Sequence, residues 1–137
     1  MLGGTEYVAE AAQAALERHG HSTMLHFQPN FAEITQQDQT WLICTSTHGA
    51  GDFPENIESF VHDLNKQDQL DKDLKYLVIA VGDSNYDTFC EAGKTINNIM
   101  LEKRGKQISD IFTINIIETD DPEAAAEQYI ESIIDRF

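Results

Sequence analysis

Positive charge is what this sequence has least of: nine Lys and Arg stand against 24 Asp and Glu, a formal net charge of −15 over 137 residues. A surface of that sign repels phosphates, which excludes nucleic acid and anionic membranes as first partners and favours a protein with a basic docking face. Cysteine is scarce as well. Cys44 and Cys90 are too few for a disulfide scaffold, and both sit in or beside apolar runs, as reduced thiols do. No apolar run approaches the roughly 18 residues that a membrane helix requires, and the start MLGGTEYVAE lacks the pattern of a secretory leader. Internal repeats, low-complexity tracts and linkers are missing too. What these absences leave is an acidic, cytoplasmic single domain, too rich in hydrophobic residues (41%) for a disordered acidic tail.

What is present is an alternation of two hydrophobic periods. Thr5 to His19 predicts a helix, with Thr5 as its cap, Val8, Ala12, Ala15 and Leu16 on one face, and Gly20 as the stop. Ser22 to Phe27 predicts a short strand, and Thr40 to Ser46 and Tyr76 to Val81 predict buried strands. Pro54 starts a helix reaching about Lys66; another runs from about Ala92 to Arg104 and ends at Gly105. Phe112 to Ile117 predicts the last strand, and Pro122 opens the last helix behind an Asp121 cap. Strands separated by helical crossovers imply an α/β fold, a parallel sheet with helices on both faces. Ligands of such sheets bind beyond the carboxyl ends of the strands, so the loops after strands carry the information.

Three segments stand out. In Thr45 to Asn56, Gly49 and Gly51 flank one small residue, which opens backbone conformations closed to other residues and lets a flat ligand approach the main chain. For the glycines alone, a flexible turn is the commoner explanation. In Gly82 to Cys90, Tyr86 has few apolar neighbours in sequence, which suits stacking on a planar ring; a tyrosine capping the sheet edge is the competing reading. Gly3, Gly4 and Thr5 precede a helix and suit phosphate, against a frayed terminus. His19, His21 and His26 lack a second ligand cluster and read as solvated side chains rather than a metal site.

Taken together, Thr-x-Gly-x-Gly-x-x-Pro-x-Asn (Thr47 to Asn56) and Gly-Asp-Ser-x-Tyr-x-x-Phe-Cys (Gly82 to Cys90) resemble the FMN-binding flavodoxin-like proteins. These include the FMN domains of sulfite reductase and cytochrome P450 reductase, and the likeness covers nearly the whole chain. The resemblance implies a doubly wound open parallel sheet of order 2-1-3-4-5. It implies that Thr47, His48, Gly49, Ala50 and Gly51 lie against one side of the flavin ring. Asp83, Asn85, Tyr86, Phe89 and Cys90 would form the opposite loop, with Tyr86 stacking. Gly3, Gly4 and Thr5 match the tail of the family's phosphate loop. Asp52, Asp83 and the overall charge would lower the potential of the bound flavin.

The implied role is electron carriage, with no general acid or nucleophile. The donor would be an NADPH-dependent flavodoxin reductase and the acceptor a radical enzyme, biotin synthase for example, with the carrier a monomer. The family's pattern begins with a strand and the first half of the phosphate loop, which have no counterpart here. The chain therefore reads as one flavodoxin-like domain, N-terminally truncated relative to the family. The alternative is a non-redox interaction module that uses only its acidic surface. A receiver domain would need an acidic residue where Cys44, Thr45 and Ser46 stand, Pro54 breaks a dinucleotide-type Gly-x-Gly-x-x-Gly, and no Gly-x-Ser-x-Gly elbow exists.

Overall fold

The most apolar run of the sequence becomes the middle of the sheet. In the computed structural model, which describes residues 4–137, Tyr76 to Val81 are buried along the whole of β2 (Lys75–Gly82). β1 (Thr40–Ser46) pairs with it in parallel, from Thr40 opposite Lys75 to Ser46 opposite Val81. The other side of β2 is shared by two parallel segments: β3 (Lys106–Gln107) beside its start and β4 (Phe112–Asn115) beside its end. The neighbours β1-β2-β4 follow the expected succession of third, fourth and fifth strands in an open parallel sheet.

Alternation along β2 sorts the core into two layers, because successive side chains of a strand point to opposite faces. Tyr76 and Val78 join Trp41 and the apolar faces of α2 (Glu58–Asn65) and α3 (Glu91–Glu102). Leu77, Ile79 and Val81 join Ile114 and the inner faces of α1 (Gly4–Arg18) and α4 (Pro122–Ser132). In the first layer Phe31, Trp41 and Phe60 meet with ring centroids 5.8 to 6.0 Å apart. Gly93 lets α3 lie close on β2: a Cβ there would stand 2.5 Å from Ala80 Cβ. Behind the second layer, Arg18 bridges Glu127 and Glu131 across α1 and α4, and with His19 holds the Glu131 carboxyl below the usual range.

Several sequence expectations need correction. Residues 22–27 form no strand among the described residues: they run without helix, and no ladder joins them to β1, β2, β3 or β4. Thr5 is not a cap, because α1 already includes Gly4 and the Thr5 hydroxyl has no hydrogen-bond partner among the described residues. The helix after Pro54 is a 3-10 turn (Glu55–Ile57) followed by α2. At the end of α3 the left-handed residue is Arg104 (φ 71°) rather than Gly105, whose lack of a Cβ instead makes room for the Tyr76 ring. β4 stops at Asn115, two residues before Ile117. Asp121 does cap α4, accepting from the Ala124 N–H at 3.0 Å. Among the described residues no helix is long and apolar enough to cross a membrane.

Tyr76 is fully buried and its hydroxyl finds no partner among the described residues. A buried unsatisfied polar group costs about 1–3 kcal/mol. Tyr76→Phe removes that cost while keeping the ring that packs on Gly105, so the variant is expected to unfold at higher urea concentration than the parent, which equilibrium denaturation measures directly.

Candidate functional site

Parallel pairing puts the ends of β1 and β2 at one edge of the sheet, and both singled-out loops leave from that edge. The chain turns back immediately after β1. His48 N–H donates to Asp52 O at 2.8 Å, and Asp52 N–H donates to His48 O at 2.7 Å. This closes Gly49, Ala50 and Gly51 into a tight turn in which Gly49 (φ 50°) and Gly51 (φ 99°) are left-handed, a region favourable mainly to glycine. His48, Gly49 and Ala50 face solvent. The turn is tied down at its root, where Thr47 Oγ1 accepts from Ala92 N–H at 3.0 Å, one of the free amides of the first turn of α3.

The loop after β2 is built from successive turns. Asp83 Oδ1 accepts from Asn85 N–H at 2.8 Å, and Tyr86 N–H donates to Asp83 O at 3.1 Å. Tyr86 is 66% exposed, so its ring does not cap the sheet edge as a packed residue. Phe89 is half-buried, with Lys94 Nζ 5.9 Å from its ring centroid. Cys90 differs from its loop neighbours. It is fully buried, left-handed (φ 56°), and its thiol donates to Ala80 O at 3.5 Å, so any contact it makes with a ligand in the loop is through its backbone.

Thr88 joins the two loops. Its Oγ1 donates to Gly49 O at 3.0 Å, which fixes the glycine turn against the tyrosine loop. Asn115 at the end of β4 does similar work on the other side: its Oδ1 accepts from Ser84 N–H at 3.2 Å and its Nδ2 donates to Ser84 Oγ at 2.8 Å. Neither residue was singled out from the sequence, since a lone Thr or Asn in a loop carries no spacing signal. Only the β2–β4 pairing brings Asn115 beside Ser84.

The third segment lies beside the first of these loops. A cleft of about 60 Å³ is lined by Thr5, His26, Cys44, Thr45 and Ser46, among others. Thr5 Oγ1 is buried there without a partner among the described residues, in the first turn of α1, where N–H groups are free and the helix dipole is positive. Gly4 opens α1 and is exposed; Gly3 lies outside the described residues. A phosphate oxygen would supply the bond that Thr5 lacks, and a flat ring would fit between an open glycine turn and an exposed tyrosine. The residues present therefore fit a phosphorylated planar cofactor. A broader depression over α2, lined by Asp52, Phe53, Glu55 and His62, has no unpartnered buried polar atom of this kind.

The described residues hold no group of three or more His, Cys, Asp and Glu suited to a metal ion. Desolvation pushes the Cys90 thiol up to about 11, with Lys94 opposing, and that of half-buried Cys44 up to about 12. Both thiols are therefore protonated at neutral pH, and the thiolate is the reactive form. At pH 8 both are expected to react with a disulfide reagent at least roughly tenfold more slowly than in the urea-unfolded chain. A stopped-flow or spectrophotometric thiol assay checks this, and the rate in the folded state should climb with pH well above 9, the ordinary cysteine value.

Comparison with known proteins agrees with this geometry. The flavodoxin family model matches residues 1–131. The MioC homolog of Haemophilus influenzae is 37% identical over 134 residues, covering 98% of this chain and 91% of its own. The NADPH sulfite reductase flavoprotein alpha-component of Bacillus subtilis is 33% identical over 138 residues, which are 96% of this chain and 22% of that protein. Among solved structures, a cysteine-to-serine mutant of a flavodoxin from Pseudomonas aeruginosa superposes with a TM-score of 0.90 at 26% identity, over 99% of this chain and 92% of its own. The order of the strands, the joined loops at one sheet edge and these likenesses agree: the chain belongs to the flavodoxin family of electron-transfer flavoproteins, whose cofactor is FMN.

Proposed function

We propose that this chain is a single-domain, monomeric electron carrier of the cytoplasm. In this reading an NADPH-dependent flavodoxin reductase charges it and an acceptor such as a radical enzyme, biotin synthase for example, discharges it. The observation that carries the reading is the Thr5 hydroxyl, buried without a partner among the described residues, in a cleft with Thr45 and Ser46 at the root of the glycine loop, which Thr88 ties to the tyrosine loop. FMN supplies transfer of one or two electrons, and the protein's part is to hold it, shield it and set its potential.

Each candidate residue has a task in that scheme. Thr5 donates to the phosphate at the positive end of α1, where Gly4 is exposed, and Gly3 is proposed as a further part of the phosphate loop. The turn of Thr47, His48, Gly49, Ala50 and Gly51 forms one wall, and the N–H groups of Gly49 and Ala50 make no hydrogen bond among the described residues. Tyr86 stacks on the opposite face, with Phe89 beneath and Asp83 and Asn85 shaping the turn that presents it. Cys90 fills the space under that loop. Asp52 and Asp83, with the net charge of −15, disfavour further negative charge on the ring and lower its potential. No residue of the site is asked to attack a substrate.

The test is a visible spectrum after the chain is mixed with excess FMN and desalted. A retained flavin band is expected. Thr5→Val removes a hydrogen bond to a charged group, worth about 1.5–3 kcal/mol, and should weaken FMN binding by roughly ten- to a hundredfold. Tyr86→Ala should cost about 1–3 kcal/mol of stacking. Titration of flavin fluorescence gives both constants. Absence of a retained band would sink the carrier reading and leave a non-redox module that acts through its acidic surface.

A further inference from the structure

We infer that His26 is a further ligand of the FMN phosphate, and the side chain of that cleft which brings positive charge to it as pH falls. The inference rests on the FMN reading and adds a specific residue and a pH dependence to the phosphate end of the site.

The cleft has a charge deficit. Its donor for the phosphate is the Thr5 hydroxyl, buried without a partner among the described residues. A helix N-terminus supplies about half a positive charge, whereas a phosphate monoester carries roughly 1.5 to 2 negative charges at neutral pH. Glu6, in the first turn of α1, lines the same cleft and adds a carboxylate. Among the described residues no Lys or Arg lines it. The chain as a whole, at −15, deepens the deficit. A phosphate held there needs a cation, and His26 is the only described residue of the lining that can become one.

His26 is also carried to the cleft by a fixed piece of chain. It belongs to residues 22–27, which no ladder joins to the sheet. Side chains pin that segment near both ends instead. Gln13 Nε2 donates to Thr23 Oγ1 at 2.9 Å, and Thr23 Oγ1 donates to Glu17 Oε2 at 2.9 Å, which fastens its start to α1. Asn56 Nδ2 donates to Phe27 O at 2.7 Å, which fastens its end to the end of the glycine loop. His26 and Phe27 thereby line the cleft together with Thr5 from α1 and Thr45 and Ser46 from β1.

The neighbours leave His26 as the group that switches. It is exposed and enters no ion pair among the described residues, so its proton exchanges freely with solvent. The other titratable groups of the lining are Glu6 from α1 and Cys44 from β1, whose thiol burial pushes up to about 12 and so keeps neutral; the stretch from Pro54 to Ile57 contributes none. Histidine is the side chain whose charge ordinarily changes between pH 5 and 8. An imidazolium gives a phosphate a charge-assisted hydrogen bond, while the neutral ring keeps one N–H donor and loses the charge. The contribution of His26 is therefore full at the acid end of that range and fades as pH rises.

The experiment titrates the full chain with FMN and with riboflavin, which has the ring without the phosphate, and reads flavin fluorescence at about pH 5.5 and about pH 8.5. The phosphate itself titrates near pH 6, so each variant is compared with the parent at the same pH. H26Q is expected to weaken FMN binding roughly three- to tenfold at the lower pH and by less than about twofold at the higher. H26K, charged throughout, is expected to match the parent at the lower pH and to bind FMN roughly three- to tenfold more tightly than the parent at the higher. Neither variant is expected to move the riboflavin constant. Parent-like FMN binding by H26Q at both pH values would overturn the role of His26 and leave the FMN reading standing. Equal losses for FMN and riboflavin would overturn it too, since His26 would then support the fold rather than the phosphate. Failure of the parent chain to bind FMN would overturn both readings together.

Discussion

A strand buried on both faces has to be paired on both edges, and β2 meets that demand with parallel neighbours. Its backbone donors and acceptors are satisfied by β1 along one edge and by β3 and β4 along the other, while its side chains anchor two separate apolar layers. Unpaired backbone groups at such depth would cost more than a domain of this size can absorb. Parallel pairing has a geometric consequence: every strand ends at the same side. The loops after β1, β2 and β4 are thereby gathered at one edge, although Thr47 and Asn115 lie in opposite halves of the sequence.

Gathering the loops is not the same as setting them. Loops have little apolar surface to bury, and here polar cross-links do the setting: Thr88 to Gly49, Ala92 to Thr47, and Asn115 to Ser84. Each connects a loop to a different part of the chain, so the glycine turn, the tyrosine loop and the end of β4 are positioned as a unit. Pre-organisation of this kind suits a carrier, whose cofactor performs the chemistry while the protein limits how far its surroundings relax. Buried Cys90 contributes as packing material: its thiol stays protonated and bonded to the β2 backbone.

Charge is distributed with the same economy. The basic residues that take part in ion pairs sit at α1 and β3, whereas residues 82–91 and 115–123 carry carboxylates and no Lys, Arg or His, with Lys94 of α3 over the Phe89 ring. Carboxylates at that edge would act both on the potential of a ring held there and on the approach of a charged partner.

What the sequence determined by itself is what depends on short-range physics. Hydrophobic period identified α1, β1, β2, α3 and α4, because period 2 and period 3.6 bury different residues; Asp121 announced a cap through its own side chain; and the glycine and tyrosine loops were legible as motifs, together with the family they resemble. The tertiary structure decided what depends on neighbours. Residues 22–27 have a strand-like pattern but no described partner, and a strand exists only as half of a pair. Phe112 to Ile117 reads as one strand, yet the Asn115 side chain ends it and turns two isoleucines outward. Thr5 has the composition of a cap but stands inside the helix with its hydroxyl free for another acceptor. Thr88 and Asn115 became visible only when the fold brought Gly49 and Ser84 within hydrogen-bond reach, since a polar contact between distant residues is a property of the closed chain and leaves no period or spacing behind it.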